Sequence, residues 1–437
     1  MKVLVVGNGG REHALCWRLH QSQSVWGLYC TGSNPGIGQL ATPVDIPIAD
    51  SAALARFAAD KAIDLTIVGP ENPLAAGIAD EFNRQGLCIF GPTQAAAQLE
   101  SSKAFAKAVM REAGVPTAAF ETFDNAEAAR RYVRKLNRPM VVKADGLALG
   151  KGVTVCNDAA TALAAIAESM DARRFGAAGQ RIVIEEKLTG EELSFFALAD
   201  GDDAIPLGLV QDHKAIFDGD RGPNTGGMGA YSPVPRYGAG FEDRVMHEVV
   251  RPTLRVMRDR GTPFRGVLFA GLMVEDGHIN VLEFNARFGD PECEALMMRF
   301  DGDLAKTLLA LAQGRTNDAA VRLSPRSAVS VVIASGGYPG DYRKGLAIKG
   351  LERIEGGEPS ESKVRWAMNR IRVKVFHAGT ALANDKIVTA GGRVLAVTAM
   401  ATDLQSAITA AYEAADMIQF EGCHMRHDIG HRALTGT

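Results

Sequence analysis

Ile279-Asn280-Val281-Leu282-Glu283-Phe284-Asn285-Ala286-Arg287-Phe288-Gly289-Asp290-Pro291-Glu292 is the stretch from which the rest of the chain can be read. Ile279 to Leu282 is a short apolar run of β type. Side chains two apart on a strand share a face, so Glu283 and Asn285 present two hard oxygen ligands side by side. Such a pair suits a Mg²⁺ ion that keeps part of its water and takes its other ligands from nucleotide phosphates. Arg287 follows on the same face if the strand continues, and brings a cation to the phosphates. A buried polar strand end with an ordinary ion pair is the competing reading of the same residues.

Outward from this strand, strands and helices alternate. Lys2-Val3-Leu4-Val5-Val6 is a buried-type strand, turned by Gly7-Asn8-Gly9-Gly10 into a helix from Glu12 to His20. Asp64 to Val68 followed by Gly69-Pro70-Glu71, and Leu87 to Phe90 followed by Gly91-Pro92, repeat the pattern. Alternation of this kind predicts a doubly wound parallel sheet over residues 1 to about 92, with ligands at the carboxyl ends of its strands. A long helix is expected from Gln94 to Ala113. Strands at 118–123, 139–144, 151–156 and 181–187, interleaved with helices at 125–137 and 158–170, predict a compact α+β module. Longer strands follow at 192–199, 204–211, 266–274 and 279–285, interrupted by a helix at about 241–260. Helices at 291–300 and 303–313 precede a polar, glycine-bearing linker candidate at 314–326. The remainder is β-rich, with strands at 327–335, 371–377 and 393–399 and a last helix at 403–418.

Composition sets outer limits. The 437 residues are 46% hydrophobic and 23% charged, an ordinary globular balance that allows two to four domains. A net charge of −3 argues against a general nucleic-acid or anionic-membrane binder. The six cysteines form no Cys-x-x-Cys pair, which fits a reduced compartment. With no basic-then-apolar leader at Met1-Lys2 and no apolar run of spanning length, the chain reads as a cytoplasmic protein.

Several segments carry chemistry. The Gly7-Asn8-Gly9-Gly10-Arg11-Glu12-His13 turn aims free backbone N–H groups at an anion. Glu12 breaks the G-x-G-x-x-G spacing, so a phosphate of a smaller ligand fits better than a dinucleotide. Asp145-Gly146-Leu147-Ala148-Leu149-Gly150-Lys151-Gly152, after a strand containing Lys143, reads as a glycine-rich hairpin over phosphates or as a plain turn with a solvated lysine. It is no Walker A loop, because Gly152 follows the lysine. Ile182-Val183-Ile184-Glu185-Glu186-Lys187-Leu188 is a strand with an acidic end: its backbone could pair with adenine and a carboxylate with the base amino group or ribose, while on pattern alone a merely charged strand end is the favoured reading. The glycine-laden segment Asp218 to Gly229 predicts a flexible loop that approaches or closes over substrate. Gln211-Asp212-His213-Lys214 before it is the sort of polar strand end that lines a site. Cys423, His424, His427 and His431 match no complete zinc spacing and are not read as a metal site.

Taken together these segments resemble the ATP-grasp ligases, most closely the family that joins glycine to 5-phosphoribosylamine in purine biosynthesis. The resemblance rests on Gly9-Gly10-Arg11-Glu12-His13-Ala14, Gly69-Pro70-Glu71, Lys143-Ala144-Asp145-Gly146-Leu147-Ala148, Gln211-Asp212-His213-Lys214, Gly222 to Pro233, Arg287-Phe288-Gly289-Asp290-Pro291-Glu292, Phe376 to Thr380 and Thr389 to Val394. It implies three domains: a Rossmann-like substrate domain over 1–101, an ATP-grasp domain over 102–320 with a mobile lid at about 117–188, and a β-rich domain over 321–437. It implies ATP and Mg²⁺ (or Mn²⁺) as cofactors, with Glu283 and Asn285 as metal ligands. Lys103, Lys143, Gly150 and Lys151 are then expected at the phosphates, and Glu185, Glu186, Lys187, Leu188 and Glu192 at adenine and ribose.

Gly9, Gly10, Arg11, Glu12, His13, Asn34, Pro35, Gly36, Gly69, Pro70 and Glu71 would line the phosphoribosylamine pocket. Arg287, Asp290 and Lys143 are the expected catalytic residues, with Asp212 and Asp290 also contacting substrate. The expected partners are small molecules only (glycine, 5-phosphoribosylamine and ATP), for a monomer or weak homo-oligomer with no nucleic acid or membrane. Four positions depart from the family pattern: Ser101 for Gly, Ala215 for Arg, Glu294 for Gln, and Ala270-Gly271 where many ATP-grasp enzymes carry a further acid. The rival readings are a nicotinamide-dependent dehydrogenase, a nucleotide sensor, or an ATP-grasp enzyme that takes bicarbonate or formate.

Overall fold

The computed structural model describes residues 1–147, 152–356 and 361–435. Five parallel strands, β1 (Lys2–Val6), β2 (Gly27–Thr31), β3 (Thr42–Val44), β4 (Leu65–Val68) and β5 (Ile89–Phe90), form a sheet in the order β3-β2-β1-β4-β5. Both faces are covered, so Val3 to Val6 are fully buried and the strand is apolar throughout. The chain winds from β1 to β3 in one direction, then crosses to β4 and β5. The switch point lies between β1 and β4, where the turns Gly7–Gly10 and Gly69–Glu71 lie side by side against Glu12.

The helix expected from Gln94 to Ala113 is broken. A short turn, Gln98–Ser101, stops at Ser102, whose backbone is extended (φ −137°, ψ 111°), and a new helix runs Lys103–Ala113. Ser102 caps it: the hydroxyl accepts from Phe105 N–H and donates to Asp145. Serine competes for its own backbone in this way, so the apolar periodicity hid a helix start. The break puts Lys103 in the first turn.

β6 (Phe120–Phe123), β7 (Met140–Ala144), β8 (Val153–Cys156) and β9 (Ile182–Glu186) make a four-stranded antiparallel sheet in the order β6-β9-β7-β8. Helices Ala126–Leu136 and Ala159–Ile166 cover it, with a small core of Val133, Val142, Ile166, Ile182 and Ile184. Gly150 and Lys151, which fall between β7 and β8 in the sequence, lie outside the described residues.

The remaining strands are β10 (Glu191–Asp200), β11 (Ala204–Asp212), β12 (Ala215–Phe217), β13 (Arg221–Asn224), β14 (Gly229–Ser232), β15 (Arg265–Glu275), β16 (His278–Asn285), β17 (Ser327–Ala334), β18 (Arg372–His377), β19 (Thr380–Ala383), β20 (Lys386–Thr389) and β21 (Arg393–Ala401). Eight of them form one antiparallel sheet in the order β16-β15-β10-β11-β14-β17-β21-β18. The sheet therefore runs unbroken across position 320. β14 is the seam, pairing with β11 through Gln211↔Tyr231 and Asp212↔Ala230, and with β17 along its whole length.

Within the segment expected to be a flexible loop, 218–229, residues 221–224 are a strand of a hairpin and 225–228 are irregular. β12 and β13 pair, and the carboxyl-terminal segment clamps them: Gly219 N–H donates to Asp428, His427 N–H to Asp218, and fully buried Arg426 to Asp220 and the Ala215 carbonyl. Helix Glu292–Arg299 packs against helix Gly10–His20 and against the large sheet, so all eight of its residues are buried. Among the described residues no helix is long and apolar enough to cross a membrane.

Candidate functional site

β16 carries a β-bulge just before its acidic end. Val281 pairs with Leu272 and Glu283 with Gly271, which leaves Leu282 as the extra residue. A bulge re-aims the side chains that follow it. Here the Leu282 carbonyl accepts from Lys143 Nζ at 3.0 Å. Gly271 stands directly opposite Glu283, so the neighbouring strand supplies no second acid.

Four cations act on Glu283. Burial alone pushes its carboxyl up, but Lys214, Lys143, Lys103 and Arg287 outweigh burial and hold it below the usual glutamate value. Glu283 is therefore held in its ionised form by the cations around it. Asn285 is buried, and its Oδ1 accepts from Arg287 Nη2 at 3.1 Å. Arg287 is tied to Glu100 at 2.9 Å and Glu71 at 3.5 Å, so the cation expected at the phosphates is shared with two carboxylates. Glu100, which no sequence motif singles out, also accepts from Ala286 N–H and fixes the strand end.

Behind the metal-type pair lies a buried trio. Glu185 Oε2 is 3.0 Å from Lys143 Nζ and 3.1 Å from Lys107 Nζ. Glu185 Oε1 is buried and has no hydrogen-bond partner among the described residues. Lys107 belongs to none of the motifs above; the one signal that could have found it is its place one helical turn from Lys103. Burial lowers its pKa to about 8, with Glu185 resisting. Lys103 Nζ reaches the Gly146 carbonyl at 3.1 Å, beside the turn after β7. Glu186 ends the strand and lies 3.6 Å from Arg138; beyond it Lys187 Nζ donates to Asn157, and Leu188 is half-buried. Glu192 pairs with Lys214 at 2.9 Å.

Asp212 ends β11 at the seam. Burial raises its carboxyl to about 7; Lys214 opposes this, and Glu292 and Glu192 add to it. The neighbouring His213 is buried, is lowered to about 3 by burial, and accepts from Gly430 N–H, so it is a neutral tie to the carboxyl-terminal segment. Asp290 is gripped by Arg393, whose Nη2 lies 3.2 Å from Asp290 Oδ1 and whose Nη1 donates to the carbonyls of Asp290, Gly226 and Gly227. Among the described residues Glu294 has no hydrogen-bond partner for either carboxyl oxygen. Burial, reinforced by Asp290, lifts it well above the ordinary value, so it is a neutral acid.

The amino-terminal turn is built differently. Gly9 N–H donates to Glu12 Oε2 at 2.6 Å, and Arg11 Nε to Glu12 Oε1 at 2.6 Å. A Cβ on Gly69 would collide with Glu12 Oε1, which is why that turn needs glycine. Arg11 Nη1 donates to the Phe288 carbonyl. His13 is fully buried, with Nδ1 accepting from His377 N–H at 2.8 Å. Asn34 donates to the carbonyls of Asn8 and His377 and accepts from Gly36 N–H. Gly36 lies against the rings of His13 and His377, Pro35 lies between these turn residues, and Pro70 caps the short helix that begins at Glu71. Glu12, His13 and Asn34 thus shape and brace the turn, while Gly10 in the first turn of its helix leaves backbone beside Glu294. No motif spacing signals these commitments, because the partners are up to 364 positions away.

Family models for the phosphoribosylglycinamide synthetase N domain, ATP-grasp (A) domain and C domain match residues 1–100, 101–293 and 328–432. A phosphoribosylamine–glycine ligase of Brucella melitensis is 48% identical over 434 residues, covering 99% of this chain and 98% of the relative. One from Allochromatium vinosum is 48% identical over 441 residues, covering 99% of each. Among solved structures, the phosphoribosylamine–glycine ligase of Thermotoga maritima superposes with a TM-score of 0.83 at 31% identity, over 98% of this chain and 100% of that one. The biotin carboxylase domain of Hydrogenobacter thermophilus 2-oxoglutarate carboxylase, solved with MgADP, ADP and bicarbonate, shares the fold, with a TM-score of 0.71 at 16% identity over 97% and 91% of the two chains.

Proposed function

The chain belongs to the phosphoribosylglycinamide synthetase family, and from that premise we propose that its reaction runs at the Glu283–Asn285 strand end. The reaction is the ATP-dependent ligation of glycine to 5-phosphoribosylamine in purine biosynthesis, giving glycinamide ribonucleotide, ADP and phosphate. ATP with Mg²⁺ (or Mn²⁺) serves this class of ligase.

The observation that carries the assignment is the convergence of Lys214, Lys143, Lys103 and Arg287 on buried Glu283, which they hold ionised. An acid kept ionised at a lysine-rich strand end is suited to a divalent ion whose phosphate ligands the lysines can meet. Glu283 and the Asn285 oxygen fit a hard divalent ion, and Lys103, Lys143 and Lys214 fit the phosphates beside it. A bound Mg²⁺ supplies charge neutralisation between the phosphate oxygens.

A carboxylate does not acylate an amine unaided, because oxide is a poor leaving group. A glycine carboxylate oxygen attacks the γ-phosphorus, ADP leaves, and glycyl phosphate results. The phosphoribosylamine nitrogen then attacks the acyl carbon, phosphate leaves, and the amine loses a proton. The protein's share is positioning and charge. Lys143 and Lys103 offset charge on the transferred phosphoryl group. Asp290, oriented by Arg393, and Asp212 hold the substrate amines. Backbone at Gly9-Gly10 and Gly69-Pro70, braced by Glu12, forms the phosphoribosylamine pocket. The β6–β9 module, as a lid, keeps water from the acyl phosphate. The protein works in the cytoplasm on small molecules, without nucleic acid, as a monomer or weak homo-oligomer. A coupled assay with freshly prepared phosphoribosylamine tests the reading: ADP release should need glycine and phosphoribosylamine together. Equal ADP release without either would overturn it.

A further inference from the structure

Among the described residues, Lys107 is a buried cation of the nucleotide region that the reaction above does not use. Its side chain is 2% exposed, and its ammonium donates to Thr117 Oγ1 at 2.6 Å, lies 3.1 Å from Glu185 Oε2, and sits 5.6 Å from the Phe120 ring centroid. Thr117 in turn donates to the Val281 carbonyl at 2.6 Å, two residues before Glu283. Lys107 thus joins its own helix to β9 and to β16. Its ammonium is engaged by Thr117 and Glu185 and is almost fully buried.

We propose that Lys107 is a positioning residue for ATP, acting through Glu185 and Lys143. This deepens the nucleotide reading above and rests on it. Lys143 and Lys107 grip the same oxygen of Glu185, which fixes the carboxylate and leaves Oε1 buried and, among the described residues, unpartnered. A buried acceptor without a donor is costly, and a base amino group is the donor this strand end is read to meet. Charge balance points the same way. One carboxylate between two ammonium groups leaves the trio with a net positive charge. Without Lys107, Glu185 and Lys143 collapse into a neutral pair, and Lys143 has less charge to offer phosphates.

The test is MgATP binding to the full chain by calorimetry, together with steady-state kinetics. Lys107→Met should raise the Kd and KM for ATP about tenfold or more while the glycine KM stays within about twofold, the pattern of lost nucleotide binding. Lys107→Arg should recover most of the affinity, and Lys107→Gln, which keeps a donor for Thr117, should behave like Met and serves if the Met variant does not fold. Glu185→Gln should weaken ATP as well, and adding Lys107→Met to it should change little, because the two act through one contact. If Glu185→Gln leaves ATP affinity unchanged, the nucleotide reading of this strand end fails and takes the inference with it. If Glu185→Gln weakens ATP but the Lys107 variants do not, or if the two effects add in full, the role of Lys107 alone is overturned.

Discussion

The Glu283 strand end and the Gly7–His13 turn use polar side chains in opposite ways. Around Glu283, Lys103, Lys143, Lys214 and Arg287 converge on one buried carboxylate and hold it ionised, while three of them also reach other acids. In the turn, Glu12 is matched by Arg11 and by Gly9 N–H, His13 Nδ1 by His377 N–H, and Asn34 by backbone groups. The first region gathers cations around an ionised acid. The second ties its polar side chains mainly to backbone groups, with only His13 Nε2 of these groups left without a partner among the described residues. A polar residue inside a ligand-binding motif therefore has two physically distinct uses, and only the balance of its partners separates them.

The contrast between the two regions stands or falls on a pair of substitutions. Glu283→Ala should lower ADP formation by about a thousandfold, the scale of losing a preorganised electrostatic group, with urea stability close to the parent's. Glu12→Ala should do the reverse: it strands buried Arg11 and uncaps Gly9, and should cost about 3 kcal/mol in urea unfolding. Equal stability loss in both variants would erase the distinction. Gly69→Ala probes the turn more finely. The new methyl group meets Glu12, so a loss of about 1–3 kcal/mol is expected, with a raised KM for phosphoribosylamine.

Two smaller effects follow from protonation. Asp212 is raised to about 7, above its unfolded value, so its contribution to stability is full below about pH 4 and is lost as pH rises through about 7. Stability should fall across that window, at no more than about 1.4 kcal/mol for each step of one pH unit, and Asp212→Asn should flatten the profile. A variant with an unchanged slope would show that Asp212 is already ionised at the seam. Glu294→Gln should be the mildest change, under about 1 kcal/mol in thermal unfolding, because it exchanges one neutral buried group for another of the same shape. A large stabilisation would mean that Glu294 is ionised in the folded chain.

Much of the architecture was legible because local pattern and global fold agree. Val3 to Val6 could only be a strand covered on both faces, and the glycine turns after β1 and β4 marked the switch point. Two departures share a cause. Ser102 divides a helix that apolar spacing made continuous, and part of the glycine-laden segment 218–229 is pinned in a hairpin by Arg426, His427 and Asp428. In both, hydrogen bonds to residues distant in the chain override a local preference.

Residue order alone specified most of the longer strands and helices, the acid–amide pair at 283 and 285, and the family. Those properties live in spacing and residue type, which need no third dimension. Which charges are matched was settled only by folding. The fold joined β14 to β11 and β17 into one sheet, set Lys107 and Lys143 on a single oxygen of Glu185, and turned His13 toward His377. The reason is range: hydrogen bonds and ion pairs act over a few ångströms in space, and no distance along the chain reports which groups the fold brings that close.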